Sequence, residues 1–186
     1  VSSGLFVDKI GGPSVKPYQP PGLWDEMTGG STSNSLKRYI VSTDGNQYRR
    51  SLYTYWKRTV PPPGMITFDA STRDYCTVER QKTSTPLQSL ILLNDPQVQN
   101  AAEAIASLIL SSEIKNKKER IITLHRRITG RYPSRKALSD MIDYMETVEE
   151  LHEKKTTEIS EVDLELKSYT SLARLIYNLD ETSQKS

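Results

Sequence analysis

The sequence predicts a mainly α protein: a helical bundle-like region over residues 83–186, preceded over residues 1–82 by a long Gly/Pro-rich wrapping segment that carries one helix. Three observations predict it. Helix start signals recur from Thr83 onward, each followed by apolar residues at helical spacing. Glycines and prolines crowd residues 1–34, where no long helix or strand can persist. A length of 186 residues with a 35% hydrophobic fraction suits one domain with a modest core, so both regions are read as parts of the same domain.

The arm comes first. Leu5, Phe6, Val7, Ile10, Val15, Tyr18, Leu23 and Trp24 are spread between its glycines and prolines, whereas disordered segments lack such residues, so the arm is expected to be a loop that packs. Residues 36–41 carry aromatic and β-branched side chains, and Asp44-Gly45-Asn46 is a turn signal, which leaves a short β-hairpin open. Tyr48, Leu52, Tyr55 and Trp56 then follow the spacing of one helix face, which predicts a helix over residues 47–58. Pro61-Pro62-Pro63-Gly64 is expected to end regular structure.

From Thr85 the signals sharpen. Thr85, Pro86 and Gln88 form a capping box that opens a short buried helix with Leu87, Leu90, Ile91 and Leu93. Asp95-Pro96 starts a second, with Val98, Ala101, Ala102, Ile105, Leu108 and Ile109 on one face. A third is expected over residues 117–129 with Ile121, Leu124 and Ile128 inward, stopped by Gly130. A fourth runs from Ser134 at least to Met145, and a fifth covers residues 160–178 with Val162, Leu166, Tyr169, Leu172, Ala173, Ile176 and Tyr177.

Charge sets no partner class. Lys and Arg number 25 against 23 Asp and Glu, so the net charge of +2 gives no overall field that argues for nucleic acid or an anionic membrane. No apolar run approaches the roughly 20 residues needed to span a bilayer, so no transmembrane segment is expected. The single cysteine, Cys76, excludes an internal disulfide and covalent haem attachment, and reads most simply as a small buried hydrophobe. His125 and His152 have no Glu or Cys at ligand spacing, so no metal site is expected.

Two constellations remain. Asp69, Arg73, Cys76, Arg80 and Thr83 gather polar, reactive types just before a helix start, where a thiolate beside two arginines would be activated. Structural ion pairs and helix caps explain the same residues without chemistry. Trp24, Tyr18, Tyr53, Tyr55 and Trp56, among Arg49, Arg50, Lys57 and Arg58, are of the types that stack on sugars, and equally of the types that cover a core. The basic residues between Lys115 and Arg127 alternate with acidic ones and read as a solvated helix face.

Fixed words run through the chain: Ser3-Gly4-Leu5, Gly11-Gly12-Pro13-Ser14-Val15-Lys16-Pro17-Tyr18-Gln19-Pro20, Gly22-Leu23-Trp24, Tyr48-Arg49-Arg50-Ser51-Leu52-Tyr53, Thr83-Ser84-Thr85-Pro86-Leu87-Gln88, Leu92-Leu93-Asn94-Asp95 and Gly130-Arg131-Tyr132-Pro133. In this order they resemble the C-terminal domain of planctomycete-type multidomain proteins that often begin with a cytochrome c-like domain, a family of unknown function. The resemblance implies export to the periplasm or cell surface, contact with upstream domains of the same protein, and haem c in a separate domain rather than a cofactor in this chain. It also implies a redox-linked role connected with polysaccharide utilisation. Helices that precede the Ser-Gly-Leu word in that family are missing here, so Val1 is read as a cut. Glu79-Arg80-Gln81 departs from the paired arginines of the family at that place.

Three functional expectations follow: an accessory module of such a protein; an enzyme around Cys76, Asp69 and Arg73 completed by upstream residues; and a glycan-binding module using the aromatic set. A polysaccharide or another protein is the expected partner, and nucleic acid is not.

Overall fold

The computed structural model describes residues 1–23, 39–43, 45–57, 61–71, 76, 78–79, 81–155 and 160–183. They form two compact units, Leu5–Thr83 and a helical unit made of Val1–Gly4 with Ser84–Ser186. The protein is mainly helical, as its sequence predicts.

In the first unit the Gly/Pro-rich arm is ordered by pairing with residues further along. Parallel bridges join Val7 to Arg49 and Val15 to Thr54. Val15 donates its N–H to Tyr53 O at 2.8 Å and accepts from Tyr55 N at 2.7 Å. These bonds replace the helix expected over residues 47–58. Two single 3₁₀ turns, Asn46–Tyr48 and Ser51–Tyr53, stand there instead, separated by extended backbone at Arg49. The backbone of residues 53–55 faces Val15, and a group bonded across a bridge is lost to an i to i−4 ladder. Tyr48, Leu52, Tyr55 and Trp56 are therefore not one face of a helix.

Near the Asp44-Gly45-Asn46 turn signal, Asn46 N–H donates to Thr43 O at 3.2 Å, and the first 3₁₀ turn begins at Asn46. Ser42 meanwhile pairs with Lys16, donating to its carbonyl at 2.8 Å. Residues 36–38 and Asp44 of the open hairpin reading lie outside the described residues.

The proline run starts structure rather than ending it. Pro63 occupies the first turn of α1 (Pro63–Thr67), where a fixed φ and a missing N–H do no harm. Asp69 closes this helix in the left-handed conformation, φ 58°. Its N–H reaches Ile66 O at 3.0 Å and that of Ala70 reaches Met65 O at 2.9 Å, the two bonds of a Schellman end.

The helical unit contains α2 (Pro86–Asn94), α3 (Pro96–Leu110), α4 (Lys117–Thr129), α5 (Arg135–Lys155), α6 (Glu161–Tyr177) and the single turn α7 (Asp180–Ser183). Local chemistry sets each start. Thr85 and Gln88 close the capping box on α2, Asp95 caps α3 through Gln97 N, Asn116 caps α4, and Ser160 caps α6 through Asp163 N. Gly130, φ 77°, ends α4. α5 continues beyond Met145 through the charged stretch to Lys155.

The core joins Ala102, Ile105, Ala106 and Ile109 of α3, Ile121 and Leu124 of α4, Met141 and Met145 of α5, and Tyr169, Leu172, Ala173 and Ile176 of α6. α3 and α6 share the broadest interface, where Ala102, Ala106 and Ala173 let the backbones approach. Each large aliphatic side chain buried there contributes about 1.5–3 kcal/mol. Leu108 and Val162, expected inward, are exposed, and Ala106 and His125 are buried in places the sequence pattern left unmarked.

α2 is not the buried helix expected. Leu87 and Leu90 are 54% and 57% exposed, and Gln88 is its buried residue. Apolar side chains surround the whole circumference of this nine-residue helix, so its pattern names no inward face. Arg174 of α6 holds its end by donating to Leu93 O at 2.8 Å. Residues 1–4, expected in the arm, belong to the helical unit: Ser2 and Tyr177 share a hydroxyl hydrogen bond of 2.7 Å, and Arg127 Nε donates to Ser2 O at 2.9 Å. Among the described residues no helix is long and apolar enough to cross a membrane.

Candidate functional site

Of the polar cluster before α2, the structure brings Asp69 and Thr83 together. The left-handed turn at the end of α1 aims the Asp69 carboxylate at Thr83, whose N–H and Oγ1 both donate to it, at 2.7 and 2.9 Å. The contact spans 14 residues of chain, so a helix end and a distant loop are held as one piece. Cys76 is exposed, which corrects its reading as a buried hydrophobe. Arg73 and Arg80 lie outside the described residues.

The aromatic set falls into a different arrangement. Arg49, one of the cations named with the aromatic set, is 8% exposed and sits with its guanidinium carbon 3.9 Å from the Tyr53 ring centroid. Its Nη1 donates to Pro13 O at 3.1 Å, and its Nη2 donates to Lys9 O at 2.7 Å and to Gly11 O. Nε is buried without an acceptor among the described residues. Tyr53 Oη in turn accepts the Gly11 N–H at 2.8 Å. One cation and one ring therefore hold the Gly11-Gly12-Pro13 turn from both its carbonyl and its amide side. The positive charge suits three carbonyl dipoles, and the ring face supplies a cation–π contact of about 1 kcal/mol.

Tyr55 and Tyr39 flank Lys16, whose Nζ lies 5.0 and 5.6 Å from their centroids. Burial pushes the Tyr39 phenol up to about 12, and it donates to Pro17 O at 2.8 Å. Arg50 adds an exposed ion pair with Asp8 at 2.8 Å. Tyr18 and Trp56 are half-buried, and Trp24 lies outside the described residues. Tyr53 and Tyr55 thus meet cations of their own chain, and Tyr53 also binds its backbone.

Arg49 and His125 stood out in the sequence without the backbone-holding roles they have here, and Lys16 was not among the candidate residues. For Arg49 a signal exists: a tyrosine four residues on, and a Gly-Gly-Pro turn whose carbonyls need a donor. His125 is 2% exposed, with Nδ1 3.0 Å from Arg131 O and 3.2 Å from Thr129 Oγ1, which fixes the end of α4. Among the described residues no group of three or more His, Cys, Asp or Glu is placed to hold a metal ion.

The described residues thus comprise a clamped Gly/Pro-rich loop unit and a helical unit with its own small core. The profile of one family, described as PSD1: Protein of unknown function (DUF1553), matches residues 1–145, and this chain belongs to that family. The match takes in the whole of the Leu5–Thr83 unit and ends within α5. Comparison with curated proteins and with solved structures finds no match.

Proposed function

We propose that this chain is a non-catalytic accessory module of a larger exported, redox-linked protein of the periplasm or cell surface, one connected with polysaccharide utilisation. The carrying observation is that reactive-looking side chains of the Leu5–Thr83 unit are engaged in holding backbone: Arg49 and Tyr53 on the Gly11 turn, and Asp69 on Thr83. A loop unit so fixed offers a defined surface on which upstream domains, one of them a haem c domain, can pack. Membership of a family of unknown function fits an uncharacterised module. The address and the redox and polysaccharide links rest on the resemblance in the sequence words.

One observation favours a second reading, an enzyme around Cys76, Asp69 and Arg73: the thiol is exposed and so open to a substrate. The rate of Cys76 alkylation at neutral pH, in the folded chain and in denaturant, separates the two. Folded protein reacting no faster than denatured protein is expected for the accessory module. Folded protein reacting at least about ten-fold faster would replace this proposal with the enzyme.

A further inference from the structure

The net charge of +2 conceals a strongly uneven distribution. Residues 126–139 hold Arg126, Arg127, Arg131, Arg135 and Lys136 and no carboxylate. All five are exposed, as is Tyr132 among them at 71%. They occupy one corner of the helical unit, where α4 ends, the chain turns at Gly130, and α5 begins. Among the described residues no carboxylate forms an ion pair with any of the five.

Folding explains only part of this. Arg126 and Arg127 suit the C-terminal end of α4. Arg135 and Lys136 stand in the first turn of α5, which contains no acidic residue, and there the helix dipole opposes them. Arg127 binds Ser2 O through Nε, and Arg126 stacks on Tyr132 with 4.0 Å between guanidinium carbon and ring centroid. That pair puts an amphipathic ring and a cation side by side at the surface, the combination found at membrane–water interfaces.

The acidic residues that balance the chain lie elsewhere. Asp143, Glu146 and Glu150 follow along α5 at about 12 Å and more from Arg135, taking 1.5 Å per residue, beyond a Debye length of about 8 Å at physiological salt. Asp140 lies nearer, and Asp180 belongs to α7, which touches α4. A long polyanion laid along the unit would meet the acidic stretch of α5, whereas a flat anionic surface touching the corner end-on would meet the cations first.

We propose that this basic corner docks the module on an anionic lipid surface, with the arginines and Lys136 on headgroup phosphates and Tyr132 at the interface. The experiment is sedimentation of the full chain with vesicles of phosphatidylglycerol and phosphatidylcholine, and with phosphatidylcholine alone. Binding is expected to the anionic vesicles and not to the neutral ones, and to weaken steeply as salt rises. Each cation removed is expected to weaken it about five-fold, so R131Q/R135Q should lose about 25-fold. D143N/E146Q, on the same helix, should leave binding unchanged or strengthen it, and circular dichroism checks that each variant keeps its helices. Equal binding to both vesicle types, unchanged binding by R131Q/R135Q, or retention on heparin without vesicle binding would overturn the proposal, the last in favour of a soluble polyanion.

Discussion

Arg49 lies with its guanidinium carbon 3.9 Å from the Tyr53 ring centroid, and between them the two side chains bind the carbonyls of Lys9, Gly11 and Pro13 and the amide of Gly11. Neither half of this clamp replaces the other. Arg49→Ala removes three charge-assisted hydrogen bonds and the ring contact with Tyr53, so the Leu5–Thr83 unit should lose about 3 kcal/mol. Arg49→Lys keeps the charge but not the planar fork and should lose about 2 kcal/mol. Tyr53→Phe keeps the stacked ring and should lose about 1 kcal/mol. Urea unfolding followed by tyrosine fluorescence measures all three.

The Asp69 contact with Thr83 separates in the same way. Asp69→Gly retains the left-handed turn at φ 58° but loses both acceptors, and should be destabilised by about 1 kcal/mol. Asp69→Ala loses the acceptors and strains the turn, for about 2 kcal/mol. Equal stability of the two variants would mean that backbone strain at this residue is negligible.

The helical unit depends on its first residues. Gly4 stands at φ 79°, and a Cβ there would lie 3.3 Å from Leu108 Cδ1. Gly4→Ala should therefore lower the thermal midpoint by the equivalent of about 1–2 kcal/mol, while Ser2→Ala, which removes one half-buried hydroxyl bond to Tyr177, should cost about 0.5–1 kcal/mol.

Alkaline pH gives a further expectation. Burial holds the Tyr39 phenol up at about 12 against an ordinary value of 10.0, so between those values the unfolded chain releases a proton that the folded one retains. Stability from this residue is whole below pH 10 and declines as pH rises through about 12. Burial raises Tyr169 and Tyr177 in the same direction. Unfolding midpoints across this range should fall less steeply in Tyr39→Phe, and tyrosinate absorbance should lag behind that of denatured protein.

The starts of α2 and α3 were legible because capping is local: Thr85 with Gln88, and Asp95, act within three residues of themselves, as Asn116 and Ser160 also do. The 3.6-residue pattern marked Ile105, Ile109, Ile121, Leu124, Leu172 and Ile176 of the core for the same reason. It failed on α2, whose apolar residues lie on every side, and on residues 47–58, where a helical spacing was overridden by bridges to Val7 and Val15 some 40 residues away. The Arg49 clamp depends on carbonyls equally distant in sequence, which no local pattern displays. Asp69 and Thr83 could be paired by residue type, but their contact needed the left-handed end of α1.

Arg49 holds the Gly/Pro-rich arm as a fixed loop. Native-state hydrogen exchange at the amides of Val7, Gly11 and Val15, in wild type and in Arg49→Gln, tests this most directly. The clamp predicts protection of all three in wild type and exchange at least about ten-fold faster in the variant, the factor for each 1.4 kcal/mol lost. Exchange at unprotected rates in wild type, or unchanged protection in the variant, would contradict it.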